Sequence, residues 1–362
     1  MKVAIKNTLK HLVIMTFTSL LMFITTDFLF GKKISNYLEI TNVENIYRIS
    51  NEHYNHSFKK NYKTNKARWG PVLYRFCSDN RGFKYNCIDK EQNTYDYAFM
   101  GDSFTEGIGL EFEKTFVGLF KKNSKLKMVN LGVAAYSPWL YNKKIQYLLS
   151  NNIIDFKKLI VSIDLSDLED DWSHFENNNT QISIQEINRE SKKYNNISKF
   201  ILRTKKYLTT NLVLSNYLIQ QAWWAGVRDL FGNYKTTYID YDNSSSSWGY
   251  KKKHENKSKI DFMIQNMQDL SNFLKKKNID LIIMIYPHPA SILYDTVNSN
   301  YKLVWQNFCI TECIYFIDAF SELIKKKNEP KYLIEKYYIK GDVHFNYEGN
   351  KYIYKKIKEA LK

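Results

Sequence analysis

The pattern of apolar and polar positions divides the chain at once. From Leu12 to Phe30 the sequence runs LVIMTFTSLLMFITTDFLF, with a single charge, Asp27, near its distal end. A helix that crosses a bilayer needs about 20 mostly apolar residues, so this run predicts a membrane span. Lys2, Lys6 and Lys10 precede it and Lys32-Lys33 follow. Counting the terminal amine, the basic bias falls on the N-terminal side, which predicts a single-pass anchor with its N-terminus inside. No small-x-small cleavage pattern follows, so residues 1–31 read as an uncleaved signal anchor, with the rest periplasmic or extracellular.

Residues 32–94 are polar and rich in Tyr and Asn, a juxtamembrane segment. Within it, Tyr74-Arg75-Phe76 and Phe83-Lys84-Tyr85 flank Asp79-Asn80-Arg81-Gly82, which predicts a small hairpin. From Tyr95 onward, short apolar runs alternate with helical periodicity. Tyr95–Met100, Lys127–Leu131, Lys158–Ile163, Asp280–Tyr286 and Tyr315–Asp318 read as strands. Glu113–Lys121, Pro138–Ser150, Lys257–Lys277, Leu303–Glu312 and Tyr347–Leu361 read as helices. Buried strands interleaved with helices predict an α/β fold over residues 95–362, a central parallel sheet of about five strands with helices on both faces. A long insertion, about 169–256, interrupts it. This carries polar stretches around an apolar helix near Leu212–Leu230 with Trp223 and Trp224, either packed on the main domain or serving as a lid.

Composition changes this picture little. The 362 residues are 44% hydrophobic and 25% charged, ordinary values for a chain with a core. A net charge of +16 favours acidic partners, but the Lys runs at 275–277 and 325–327 end helices, where cations complement the helix dipole. Without zinc-finger spacing or an RNA-binding signature, nucleic acid is not expected as a partner. A Cys77–Cys87 bridge fits an exported domain. Cys309 and Cys313, one helical turn apart, read as core thiols.

Two stretches carry chemistry. Phe99-Met100-Gly101-Asp102-Ser103-Phe104-Thr105-Glu106-Gly107 follows the first apolar strand, which puts Ser103 at the carboxyl edge of the sheet with its backbone N–H available to an oxyanion. Near the C-terminus stands Gly341-Asp342-Val343-His344-Phe345-Asn346, followed by Glu348-Gly349-Asn350. A serine hydroxyl needs a base to act as a nucleophile, and His344 beside a carboxylate suits that task. Tyr286-Pro287-His288-Pro289 ends the fourth strand, where His288 either touches substrate or shapes the loop. Asp167, Glu169, Asp170 and Asp171 read as a solvated acidic loop rather than a metal site, with Trp172 and His174 near the cleft mouth.

Together these stretches resemble the SGNH (GDSL-type) hydrolases. The resemblance covers roughly residues 95–361 and implies a three-layer α/β/α sandwich of flavodoxin-like arrangement. It also implies Ser103 as nucleophile, His344 as base and Asp342 as the carboxylate that orients it, without a cofactor or metal. The family's oxyanion donors are the nucleophile's N–H, a Gly N–H and an Asn side chain. Here they fall on Ser103, Ala135 in Asn130-Leu131-Gly132-Val133-Ala134-Ala135-Tyr136-Ser137, and Ser166 in Ile163-Asp164-Leu165-Ser166-Asp167, with Asp164 as another polar candidate. The family usually separates Asp and His by two residues, whereas one intervenes here. A similar spacing occurs in alginate O-acetyltransferase-like members. The expected function is hydrolysis of O-acyl esters, chiefly O-acetyl, on envelope carbohydrate or lipid through an acyl-serine. The alternatives are O-acyl transfer to a polysaccharide, and a catalytically weak carbohydrate-binding protein on the same fold.

Overall fold

The structure, a computed structural model, describes residues 2–37, 47–69, 72–88, 92–179, 207–208, 211–222, 257–326 and 328–362. Two compact units emerge. The smaller is Met1–Val43 with Ser183–Phe231, and the larger is Glu44–Ile182 with Gly232–Lys362. The smaller unit contains α1 (Lys2–Tyr37), within which Lys10–Ser35 is long and apolar enough to cross a membrane.

The larger unit opens with two antiparallel ribbons, β1 (Arg48–Asn51) with β2 (Asn55–Phe58) and β3 (Lys63–Trp69) with β4 (Val72–Cys77). The turn expected at residues 79–82 forms, with Gly82 N–H donating to the Asp79 carbonyl, but beyond it Lys84 makes only an isolated bridge to Ser78. β4 pairs backward with β3 instead, and Lys84 turns inward, its ammonium donating to the carbonyls of Gly107 and Leu110. The boundary expected at residue 95 does not separate compact units either. Tyr47, Phe58 and Phe76 stack in one buried cluster that belongs to the main core, and Cys77–Cys87 closes the segment as a disulfide.

After these ribbons, the chain alternates strand and helix. The elements are β5 (Thr94–Met100), α2 (Ser103–Glu106), α3 (Phe116–Lys122), β6 (Met128–Asn130), α4 (Pro138–Ser150), β7 (Asp155–Ile163) and α5 (Asp167–Asn179). α6 (Val213–Ala222) belongs to the smaller unit. Then come α7 (Lys257–Lys276), β8 (Asp280–Ile285), α8 (Pro289–Tyr294), α9 (Asn300–Glu312), β9 (Tyr315–Asp318), α10 (Ser321–Lys325), α11 (Pro330–Tyr337) and α12 (Tyr347–Ala360). Strand order is β6-β5-β7-β8-β9, all parallel. Leu159–Ile163 and Leu281–Ile285 are buried without a break, as strands covered on both faces must be. α4 packs with α7 on one side, and α3 packs with α12 on the other.

Three expectations need correction. The acidic residues after β7 are not a solvated loop: they open α5, and Asp167 and Asp171 are buried. The stretch read as helix from Glu113 begins as a 3-10 turn, with α3 starting only at Phe116, because Thr115 caps it through Gly118 N–H. Cys309 and Cys313 are disulfide-bonded rather than free core thiols. Cys309 lies in the last turn of α9, Cys313 lies just past its end, and their Cα atoms are 4.6 Å apart, within bridging reach. The insertion's Trp223 and Trp224 lie outside the described residues.

Strand β5 has β6 on one side and β7 on the other, and the chain leaves it in one direction before returning in the other. A crevice at such a switch point, beyond the strands' carboxyl ends, is where an open α/β sheet holds its chemistry.

Candidate active site

At the end of β5 the backbone turns so tightly that a Cβ on Gly101 would stand 2.2 Å from Thr105 Oγ1 and 3.0 Å from the Ser162 carbonyl oxygen. Only glycine permits that approach. Asp102 then caps the short α2, its Oδ1 accepting from Phe104 N–H at 3.0 Å. Ser103 thereby becomes the first residue of a helix, buried apart from its edge on the crevice.

His344 meets it from the far end of the chain. Nε2 lies 2.8 Å from Ser103 Oγ and Nδ1 lies 2.5 Å from Asp342 Oδ1. The same carboxylate oxygen accepts His344 N–H at 2.9 Å. The one-residue spacing works because the loop closes on itself. Gly341 takes φ 74°, Asp342 N–H donates to the Ile339 carbonyl, and Ile339 N–H donates to the His344 carbonyl. The two side chains therefore return to one side. Burial pushes the Asp342 carboxyl up, but His344 and the hydrogen bonds it receives outweigh that and hold it below its ordinary value.

The ribbons supply what sequence reading missed. Trp69, at the end of β3, donates its indole N–H to Asp342 Oδ2 at 2.9 Å and stands edge-on to the His344 ring, centroids 5.0 Å apart. Nothing in the local sequence marks this tryptophan. Arg48 donates to both oxygens of the fully buried Glu106, at 2.8 and 2.9 Å. Glu106 in turn accepts Ala134 N–H at 2.8 Å, and His56 Nε2 lies 2.7 Å from the Ala134 carbonyl. A charged residue in the buried turn after Ser103 was the one available signal for this network.

That clamp fixes the next residue, Ala135, at φ 60°, a conformation L-residues seldom adopt. Its N–H, like that of Ser103, has no acceptor among the described residues. Ser166 lies at the neighbouring strand end, half-buried, with its N–H 2.5 Å from Asp164 Oδ1. The structure thus joins Ser103, His344 and Asp342 by hydrogen bonds, and places Ala135 after β6 and Ser166 after β7, the two strands that flank β5.

Beneath Ser103, Asp102, Asp164 and Asp167 bring carboxylate oxygens within 4.8 Å of one another. His288 does not face the crevice; it is buried, with Nε2 2.5 Å from Asp164 Oδ2. Burial raises Asp164, but His288 and Ser166 outweigh this and lower it. Burial, then repulsion from Asp164, drives Asp102 well above the carboxylate range; burial, then Asp102 and Asp164, does the same to Asp167. Each carboxyl already has protein partners: Phe104 N–H and Tyr286 for Asp102, His288 and Ser166 for Asp164, Tyr141 and Asp164 N–H for Asp167. Trp172 and His174, expected at the cleft mouth, pack against Phe262 and Trp139 respectively.

No protein-family model and no curated protein sequence matches this chain. Solved structures do. The chain is similar to GDSL-type lipases and esterases. A GDSL-like lipase from Bacteroides thetaiotaomicron aligns over 76% of this chain and 92% of its own, at 11% identity and TM-score 0.35. A psychrotrophic esterase from Pseudoalteromonas aligns over 75% and 97%, at 8% and 0.38. An acetylxylan esterase from Geobacillus stearothermophilus aligns over 73% and 93%, at 10% and 0.37. At such distances the chemistry has to be read from the residues themselves.

Proposed function

We propose that this chain is a membrane-anchored serine esterase of SGNH type that hydrolyses O-acyl esters, chiefly O-acetyl, of envelope carbohydrate or lipid. The observation that carries the reading is the unbroken hydrogen-bonded series Asp342–His344–Ser103. In this reading, Ser103 Oγ attacks the acyl carbon while His344 Nε2 takes its proton. Asp342 holds the imidazole with its other proton on Nδ1 and stabilises the imidazolium that forms. Negative charge developing on the acyl oxygen meets the uncommitted N–H groups of Ser103 and Ala135, and each such donor supplies roughly 3 kcal/mol of transition-state stabilisation. Collapse expels the alcohol, which His344 protonates. Water then attacks the acyl-serine by the same steps in reverse roles, releasing the acid. The span Lys10–Ser35 supports a membrane location, with the larger unit held outside the cytoplasm by the basic residues that precede the span.

The test uses the detergent-solubilised full chain with p-nitrophenyl acetate and with O-acetylated oligosaccharide. Ser103→Ala is expected to fall to the uncatalysed rate, and wild type to form a covalent adduct with a fluorophosphonate. Wild-type turnover no faster than that of Ser103→Ala, with no adduct, would reject the reading.

A further inference from the structure

Asp27 is a charge inside the apolar run, and it is fully buried. Its two carboxylate oxygens accept the backbone N–H groups of Leu214 and Ser215, at 2.9 and 2.6 Å, the free donors of the first turn of α6. A carboxylate there is matched to the positive end of the α6 dipole. Beyond it along α1, Lys32 Nζ lies 3.4 Å from Asn211 Oδ1. Position 211 thus sits beside 32, and 214–215 beside 27. Along α6 the register on α1 runs backward, so the two helices are antiparallel and α6 heads toward the middle of the apolar run. Its sequence is VLSNYLIQQA, without a charge, and Leu218 and Ile219 are 52% and 68% exposed. They continue the exposed apolar surface of α1 at Leu20, Leu21 and Phe17.

We infer that α6 is a second membrane-embedded element, re-entering the bilayer alongside α1 with lipid acyl chains covering Leu218 and Ile219. The inference rests on the proposal that α1 spans a bilayer. The ten described residues of α6 extend about 15 Å, half of a hydrocarbon core of about 30 Å, and so reach toward its middle. The bond to Asp27 then accounts for both features at once. The carboxylate and the first-turn N–H groups, each costly in hydrocarbon, satisfy one another.

The test places an environment-sensitive nitrobenzoxadiazole label on single cysteines, Ile219→Cys or Met15→Cys, in the full chain reconstituted in phosphatidylcholine vesicles. The four native cysteines are paired, so only the new thiol reacts. Doxyl-labelled lipids are expected to quench both labels, with blue-shifted emission. Adding Asp27→Leu should abolish most quenching at position 219 and leave position 15 unchanged. Quenching at 15 with water-like, unquenched emission at 219 overturns the inference and spares the anchor. Loss at both positions overturns the two together.

Discussion

At 2.8 Å from His344 Nε2 and 3.2 Å from Asp102 Oδ2, the Ser103 hydroxyl has two places to send its proton. Burial, then repulsion from Asp164, raises the Asp102 carboxyl well above its ordinary value. In the proposed mechanism the serine proton goes to His344, and Asp102 serves as the cap of Phe104 N–H. Asp102→Asn should therefore keep activity within a few-fold, since the amide oxygen still accepts Phe104 N–H. Loss as deep as that of Ser103→Ala would mean that the ionised form is required. In the proposed mechanism Trp69 acts as a positioning residue through Asp342. A hydrogen bond to a charged group contributes about 1.5–3 kcal/mol, so Trp69→Phe is expected to lower kcat by about ten-fold or more with little change in KM. It should also raise the pH of the acidic limb, because the carboxylate loses a donor that favours its charged form. An unchanged pH profile would count against that role.

One ribbon, β1 with β2, sets the loop after β6. Arg48 from β1 holds Glu106, His56 from β2 holds the Ala134 carbonyl, and Tyr136 hydroxyl donates back to the His56 carbonyl. His56 Nε2 faces the Ala134 carbonyl at 2.7 Å and Nδ1 faces Asn55 Oδ1 at 2.8 Å. Desolvation, opposed only partly by the Ala134 carbonyl, depresses this histidine from 6.5 to about 4. The unfolded chain therefore binds more protons than the folded one between those values, and stability rises with pH across that window. Lowering pH from 7 to 5 should cost wild type about 2 kcal/mol through this residue. Urea unfolding in detergent at the two pH values tests it. His56→Gln, which keeps a donor, should flatten the difference, and an equal slope in both proteins would show that His56 is not its source.

Across the whole molecule, the segment before β5 is as much a part of the catalytic unit as the sheet. Its aromatic cluster joins the main core, and the Cys77–Cys87 bridge closes the chain between the ribbons and β5. A closed loop of this length stabilises by about 3 kcal/mol. Replacing both cysteines by alanine is expected to lower the unfolding free energy by that amount. It should also cost activity as the ribbon carrying Trp69 loosens against Asp342. Full activity and an unchanged urea midpoint would show that the aromatic packing alone holds the segment.

By itself, the sequence determined the five strands of the parallel sheet, the apolar span, the placing of Ser103 at a strand-to-helix turn and that of His344 in the loop before the last helix. Each of these is written in local periodicity or in a short run of adjacent residues. What only the tertiary structure decided is everything assembled from distant positions. Trp69 reaches Asp342 across 273 residues, and His56 reaches Ala134 across 78. His288 meets Asp164 in the core rather than the crevice. The pairing of β4 with β3 belongs here too. Local spacing cannot report such contacts, because they depend on which buried donor finds which acceptor once the layers close. Ala135 joins both accounts: its position was legible in the sequence, while its φ of 60° is imposed by Glu106 and His56 clamping the residue before it.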